Sequence, residues 1–434
     1  MKENISVGLL GLGVVGSGVI QIINNHQEEL VHQLGCSVSV GRVLVRDLEK
    51  ARKKDIDPAV LTTSATDVID DPNIDVIVEV MGGIEETRQY ILKAFENGKH
   101  VITANKDLIA LHGPELEDAA GKNNCDLYYE ASVGGGIPLL RTLSDGLVSD
   151  RINQVMGIVN GTTNYIMTKM DKEGMPYDTA LKQAQELGFA EADPTSDVEG
   201  LDAARKMVIL ARLAFLTDFD LEDVEVRGIS NIALSDLEYG QKLGYVMKLI
   251  GFASFENEQV EVSVQPTFLA ESHPLAGVEN EFNAVYVNGE AVGETMFYGP
   301  GAGSLPTATA VMSDVVAVIK NMRLGVNGRR FIKPRFKKQL TPPTHSYSQY
   351  YVRLHVKDEV GAFANISQLF NEIGISFEKI LQTPRKQQQE LAEIILVTHK
   401  TSLDKFQKAL GELENLNVVE TVKSYYRVEG EIAQ

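Results

Sequence analysis

The feature that most constrains this 434-residue chain is a glycine pattern close to its start. Gly11, Gly13 and Gly16 stand as GxGxxG directly after the apolar run ISVGLL, at the mouth of an amphipathic stretch whose period reads as a helix over about residues 15–34. Each glycine has its own reason to be there. Gly11 makes the tight turn, Gly13 lets the backbone approach a pyrophosphate, and Gly16 lets helix and strand pack closely with the helix N-terminus facing the phosphates. Leu12, Val14 and Val15 complete the cradle. The rhythm then repeats. VSVGRVLV, DVIVEVM, HVITAN and DLYYEASV read as strands, with helices near residues 86–97 and 114–122 between the later ones. Short apolar runs alternating with amphipathic stretches specify a parallel sheet with crossover helices, so residues 1–136 form a Rossmann-type α/β dinucleotide-binding domain.

The next strand ends in RVLVRD. An acid at this place bonds ribose hydroxyls in an NAD protein, whereas an arginine binds the 2′-phosphate of NADP. Arg46 comes first, with Asp47 after it, and Lys50, Arg52, Lys53 and Lys54 add local positive charge. NADP is the expected cofactor, and Asp47 keeps NAD open.

That basic patch stands out because the chain as a whole is acidic: 60 Asp and Glu against 41 Lys and Arg give a formal charge of −19. Such a surface repels a phosphate backbone, which argues against nucleic-acid or anionic-membrane binding. Cys36 and Cys125 are the two cysteines, too few for a disulfide framework and outside any zinc-binding spacing. The N-terminus has no leader-like apolar core, and the most apolar stretch, residues 207–216, includes Arg212 and falls far short of the roughly 20 residues that span a bilayer. A cytoplasmic protein is expected.

Beyond the first domain the pattern loosens into α+β over residues 137–299, with strands QVMGIV and QVEVSVQPTFL and helices over 177–187 and 201–216. A second glycine turn, ending at Gly303, opens a helix with small residues on one side and would return residues 300–326 to the cofactor. Residues 327–349, rich in proline, arginine and lysine, read as a linker. The remainder, over 350–428, gives the βαββαβ order of a ferredoxin-like module.

The chemistry-bearing residues cluster in three places. On the 201–216 helix, Asp202 and Lys206 lie one turn apart on a stripe that continues into Ile209 and Leu213, so they face inward. Reducing a carbonyl requires a proton donor as charge develops on oxygen, and a lysine beside a carboxylate can supply it. Lys206 is therefore the candidate acid and Asp202 the group that orients it. Lys106 follows the strand HVITAN at the carboxyl end of the sheet, where open α/β sheets bind ligands; Thr103, Ala104 and Asn105 precede it. Glu191 sits in a turn ahead of Pro194, with Asp193 and Asp197 as competitors that spacing does not exclude. In EASVGGGIP, three glycines expose carbonyls near Glu130, an oxygen shell that suits a monovalent cation better than zinc, although the residues alone read as a tight turn.

ITANKDLIA, EASVGGGIP running on to GIVNGTTNYIM, and GFAEADPTSDVEGLDAARK resemble the homoserine dehydrogenase family. Together with the fingerprint and GPGAGSLPTATAVMSD, the likeness extends over about the first 320 residues. It implies reversible NAD(P)H-dependent reduction of L-aspartate 4-semialdehyde to L-homoserine, in the biosynthesis of threonine, methionine and isoleucine. It also implies proton transfer and substrate binding by Lys206 and Asp202, a grip on the substrate amine by Glu191, contact of Lys106 with cofactor and substrate, where it shares or contests the proton-transfer role, and approach of Gly188 to the cofactor. A sodium ion is implied at Glu130, Val133, Gly135 and Ile137. The tail resembles an ACT domain, with Asp358 and Gly361 in its ligand loop. This implies a homo-oligomer, dimer or tetramer, with threonine as a possible effector. Two rivals remain. One is another amino-acid dehydrogenase with an ACT tail, although prephenate and phosphoglycerate dehydrogenases do not explain DVEGLDAARK, and aspartate-semialdehyde dehydrogenase needs a nucleophilic cysteine. The other is a nonenzymatic sensor of NADP and an amino acid.

Overall fold

The computed structural model describes residues 2–51, 56–329, 334–384 and 391–430. The chain divides into two compact units, one of Met1–Val155, Arg205–Asp223 and Phe282–Lys337, the other of Met156–Ala204, Val224–Glu281 and Lys338–Gln434.

The first unit holds a six-stranded sheet of β1 (Asn4–Leu10), β2 (Ser37–Leu44), β3 (Leu61–Thr62), β4 (Val76–Glu79), β5 (His100–Thr103) and β6 (Leu127–Tyr128). Its order is β3-β2-β1-β4-β5-β6, and every neighbouring pair is parallel. The order reverses between β1 and β4, and ligands of such sheets bind in the crevice at that reversal. Val7, Leu9, Val76, Val78 and Ile102 are fully buried and pack with Val311, Val315 and Ile319 of the helix Ser304–Leu324. That helix lies close against the helix Val14–Asn25, since a Cβ added to Gly18 would fall 2.7 Å from the Ser304 carbonyl.

Three local expectations give way. The helix expected over 15–34 is two, Val14–Asn25 and Gln27–Leu34, because the backbone at His26 leaves helical angles while the apolar period runs on through the break. The helix expected from Pro114 begins at Lys106, where the Asn105 side chain caps the Leu108 N–H, and it carries Pro114 in its interior. The strand expected over DLYYEASV stops after Tyr128, since the Glu130 N–H bonds the Asp314 carboxylate instead of a ladder partner.

β7 (Ile152–Ile158) carries the chain from the first unit into the second. There β8 (Glu225–Val226) pairs parallel with β10 (Gln259–Ala270), which forms a long antiparallel hairpin with β9 (Tyr245–Glu256). β11 (Phe282–Gly289) and β12 (Gly293–Pro300) form a second hairpin, in the first unit. The C-terminal module has β13 (Tyr347–Lys357), β14 (Phe377–Pro384), β15 (Leu391–Thr398), β16 (Thr401–Ser402) and β17 (Val419–Glu429). Its antiparallel order β17-β13-β15-β14, with helices Ala362–Ile373 and Leu403–Leu413, is the expected βαββαβ split. Ile366, Phe370, Phe406 and Leu413 bury against Val352, Leu354 and Ile394 to make its own core.

The sequence carries no sign that β10 pairs parallel with β17 through Thr267–Leu269 and Arg427–Glu429, so that the module extends the sheet of the second unit. A buried charge network reinforces this junction. Asp236, on the helix Leu234–Lys242, accepts from Arg353 Nε at 2.6 Å, Ser424 Oγ at 2.6 Å, Tyr426 OH at 3.1 Å and Tyr351 OH at 3.3 Å. Arg353 also donates to Glu393 at 2.8 Å, and Glu393 accepts from Tyr239 OH at 2.6 Å.

Candidate functional site

The glycine cradle has the geometry its spacing implies. Gly11 has φ +108°, and a Cβ there would lie 2.9 Å from the Val80 carbonyl; one on Gly16 would lie 2.2 Å from the Gly11 carbonyl. Both positions are closed to side chains by their own fold. Gly13 differs: nothing lies within 4 Å of its would-be Cβ, and it stands exposed as the N-cap of the helix Val14–Asn25 with no side-chain cap. An open glycine at an uncapped helix N-terminus fits a pyrophosphate. Leu12 and Val15 are half-buried beside it and Val14 is exposed. Gly303, at φ +129°, starts the helix Ser304–Leu324, and the Ser304 hydroxyl donates to the Val14 carbonyl at 2.8 Å, so the second glycine turn does return to the first.

At the end of β2, Arg46 is exposed and makes no side-chain hydrogen bond or ion pair among the described residues. Asp47 is exposed too, but its carboxylate is engaged on its own loop, accepting from the Lys50 N–H at 3.1 Å. Arg52, Lys53 and Lys54 lie outside the described residues.

Across the reversal point, sequence reasoning missed Glu79. This fully buried carboxylate at the end of β4 accepts from the N–H groups of Met81 at 2.8 Å and Gly82 at 3.0 Å and from the Thr103 hydroxyl. Burial raises its pKa above the ordinary carboxylate value, and these hydrogen bonds oppose the rise. Asn105 Nδ2 donates to the Gly83 carbonyl at 2.7 Å, so Thr103 and Asn105 both fasten the 81–83 loop. The available signal was an acid inside the otherwise apolar run DVIVEVM.

Lys106 is the first residue of the helix Lys106–Lys122 and is half-buried. Its neighbour Asp107 pairs with Arg205 Nε at 2.9 Å, and Arg212 Nη1 donates to the Ile109 carbonyl at 3.1 Å. These contacts tie the helix carrying Lys106 to the helix Leu201–Phe215 carrying Lys206. The Arg212 guanidinium also bonds the Phe219 carbonyl at 2.8 Å, so this side chain is engaged within the fold. Asp202 is buried, Lys206 half-buried, and Ile209 and Leu213 buried, as the inward stripe requires.

The second unit gathers the acids. Asn160, in GIVNGTTNYIM, donates from Nδ2 to Asp202 at 2.8 Å and to Asp197 at 2.7 Å. Of the acids left open by spacing, Asp197 is thus the one placed beside Asp202. Asp193 is exposed and caps its own turn at Thr195, which holds its carboxyl below the ordinary value. Glu191 is exposed on the same bend, its backbone carbonyl taking Gln185 Nε2 at 3.1 Å. Thr162 Oγ1 donates to the Phe189 carbonyl at 2.6 Å, pinning this bend to the helix Gly161–Glu173. Gly188 is exposed, with φ +79° and open space around it.

Glu130 is buried and accepts from three backbone N–H groups, those of Leu139, Leu140 (2.7 Å) and Arg141 (2.8 Å). Val133, Gly135 and Ile137 are buried in the adjoining loop, where Gly134 and Gly135 take positive φ. No cluster of three His, Cys, Asp or Glu suited to a metal occurs among the described residues. None of the described helices is long and apolar enough to cross a membrane.

Family models match three stretches: the homoserine dehydrogenase NAD-binding domain over residues 11–130, homoserine dehydrogenase over 138–316, and the ACT domain over 350–418. The chain is 62% identical over 426 residues to the homoserine dehydrogenase of Bacillus subtilis, covering 98% of each. Its structure resembles that of a homoserine dehydrogenase from Thiobacillus denitrificans with a TM-score of 0.91 at 39% identity, over 98% of each chain. A hyperthermophilic archaeal homoserine dehydrogenase in complex with NADPH matches with a TM-score of 0.64 at 25% identity, over 76% of this chain and all of the other.

Proposed function

The chain belongs to the homoserine dehydrogenase family, an oxidoreductase acting on a CH–OH group with a nicotinamide cofactor, and on that premise we propose which of its residues do the work. Substrate and product are L-aspartate 4-semialdehyde and L-homoserine. The bound nicotinamide supplies or accepts the hydride. In the reducing direction the carbonyl oxygen gains a proton as the hydride reaches carbon, and Lys206 gives it. Asp202 and Glu191 hold the amino acid, and Lys106 contacts substrate and cofactor, as an alternative donor. The observation that carries this reading is the buried Asp202 one helical turn before Lys206, on a helix fixed by Arg205 to the Asp107 beside Lys106.

NADP is the preferred cofactor, because Arg46 is exposed at the ribose end of β2 while Asp47 is engaged with its own loop. Gly11 to Gly16 hold the pyrophosphate, and Thr103, Gly188 and Gly303 line the rest. A sodium ion would be held by Glu130 with the carbonyls of Val133, Gly135 and Ile137, a buried carboxylate beside a loop in which Gly134 and Gly135 take positive φ. The protein assembles as a dimer or tetramer in the cytoplasm. The regulatory module spans 350–428, joined through 327–349 to catalytic residues 137–299 and to a dinucleotide domain of 1–136 completed by 300–326, and it takes threonine as a brake.

The test follows nicotinamide absorbance with L-homoserine and NADP, then NAD, with and without threonine, for the wild type and Lys206→Ala. Faster reduction of NADP, suppression by threonine, and lost turnover with retained NADP binding in Lys206→Ala are expected. Preference for NAD overturns the Arg46 argument, and intact turnover in Lys206→Ala overturns the assignment of the acid.

A further inference from the structure

Asn160 is buried, 5% exposed, and its carboxamide uses every hydrogen-bonding valence it has. Nδ2 gives one hydrogen to Asp197 Oδ1 at 2.7 Å and the other to Asp202 Oδ2 at 2.8 Å. Oδ1 accepts from the Thr163 N–H at 2.8 Å and the Thr163 hydroxyl at 3.0 Å, which makes Asn160 the N-cap of the helix Gly161–Glu173. The orientation is fixed, because a flipped amide would turn its carbonyl onto two carboxylates and leave the Thr163 donors facing an NH2 group.

Two carboxylates that share one nitrogen stand side by side, where mutual repulsion favours protonating one of them. One donor for each relieves that repulsion and holds the two acids in register. We propose that Asn160 is a positioning residue for the amino-acid substrate, an amide brace that presents Asp197 and Asp202 together as a two-carboxylate face for a primary ammonium group. This rests on the reading of Asp202 as a substrate-binding acid. It adds that the recognition is built on the capped helix Gly161–Glu173 and not only on the helix that carries Asp202.

The experiment separates the brace from the cap. Asn160→Ser keeps a hydroxyl that caps Thr163 and removes both donors; Asn160→Asp keeps the shape and the cap and puts a third carboxylate against the pair. Steady-state kinetics with L-homoserine and NADP, thermal melting and pH profiles are measured for both, with Asp202→Asn alongside. The expected result is a rise of about tenfold or more in KM for L-homoserine, with KM for NADP and the melting temperature near wild type, and in Asn160→Asp an acid limb of kcat/KM moved to higher pH. A wild-type KM for L-homoserine in Asn160→Ser, while Asp202→Asn raises it, overturns the brace and leaves the reading of Asp202 standing. An Asp202→Asn enzyme with unchanged KM and kcat overturns both. Parallel loss of both KM values and of thermal stability reduces Asn160 to a helix cap and overturns the proposal.

Discussion

Asp236→Ala should be among the most damaging single substitutions outside the cofactor and substrate sites. Asp236 is 1% and Arg353 6% exposed by side chain, and the pair is closed at 2.6 Å. Removing the acid leaves a guanidinium in the interior with Glu393 as its remaining carboxylate, together with the hydroxyls of Tyr351, Ser424 and Tyr426, which had donated to it. Burial raises both phenols well above their ordinary pKa, so they remain donors. Breaking a buried pair from one side costs about 3–5 kcal/mol. Each stranded hydroxyl adds on the order of 1 kcal/mol unless it finds another acceptor, while the surviving Glu393 contact takes some of the cost back. The expectation is a loss of about 4–6 kcal/mol, a large fraction of the roughly 5–15 kcal/mol that holds a domain folded. Urea denaturation followed by far-ultraviolet circular dichroism reads it as a fall in midpoint. Asp236→Leu combined with Arg353→Met should recover much of the loss, because an apolar pair carries no desolvation penalty. A single variant within about 1 kcal/mol of wild type would refute the view that this network holds the C-terminal module in place.

Gly16→Ala should prevent stable folding, since its Cβ would meet a backbone carbonyl at 2.2 Å, whereas Gly13→Ala should melt like wild type and bind NADP more weakly; thermal melts and NADP titration distinguish the two. Lys248, buried on β9 with its ammonium on the Val278 carbonyl at 2.6 Å, has its pKa lowered by burial to about 8. A lowered lysine pKa means that the unfolded chain binds more protons between about 8 and 10.5, so stability should climb as pH rises from 8 to 10, by up to roughly 3 kcal/mol. Lys248→Met should abolish that climb in urea midpoints taken at each pH, and a climb of equal size in both proteins would exclude Lys248 as its source. Asp236→Asn, which keeps the shape of the network, should preserve kcat without effector and, where threonine inhibits as proposed, shift the concentration for half-inhibition; an unshifted value would show that the proposed brake does not act through Asp236.

What the sequence revealed and what it hid divide by the range of the interaction. GxGxxG after an apolar strand, the inward stripe through Asp202, Lys206, Ile209 and Leu213, and the βαββαβ order of the tail are local patterns, and local sterics and burial write them into neighbouring residues. The helix start at Lys106 was hidden by Pro114, whose usual place is a first turn, and the cap at Asn105 decides it instead. Glu79 was hidden because an acid at a strand end has no periodicity, and its meaning appears once Met81, Gly82 and Thr103 surround it. Asn160 and Asp197 lie 37 residues apart and share a hydrogen bond that no spacing rule anticipates. The pairing of β10 with β17 joins Thr267 to Arg427, far apart in the chain, and both strands read correctly as strands without naming each other.

That pairing bears on the proposed regulation. A small effector shifts catalysis only if it binds two states of the protein with different affinity, and the states must differ at elements that reach the substrate. Here the elements are contiguous. Strands of the C-terminal module grip Asp236 on the helix Leu234–Lys242; Gln241 of that helix donates to the Asp171 carbonyl at 2.7 Å and to its carboxylate at 3.0 Å; and Asp171 lies on the helix Gly161–Glu173, whose N-cap, Asn160, holds Asp197 and Asp202. Each joint is a directional hydrogen bond between regular elements, and together they are the route by which the proposed effector would reach the acids. The charged side of the junction follows from the same requirement: an apolar seam would hold the module as firmly but tolerate sliding, whereas Arg353 between Asp236 and Glu393 has one register in which all its partners are met.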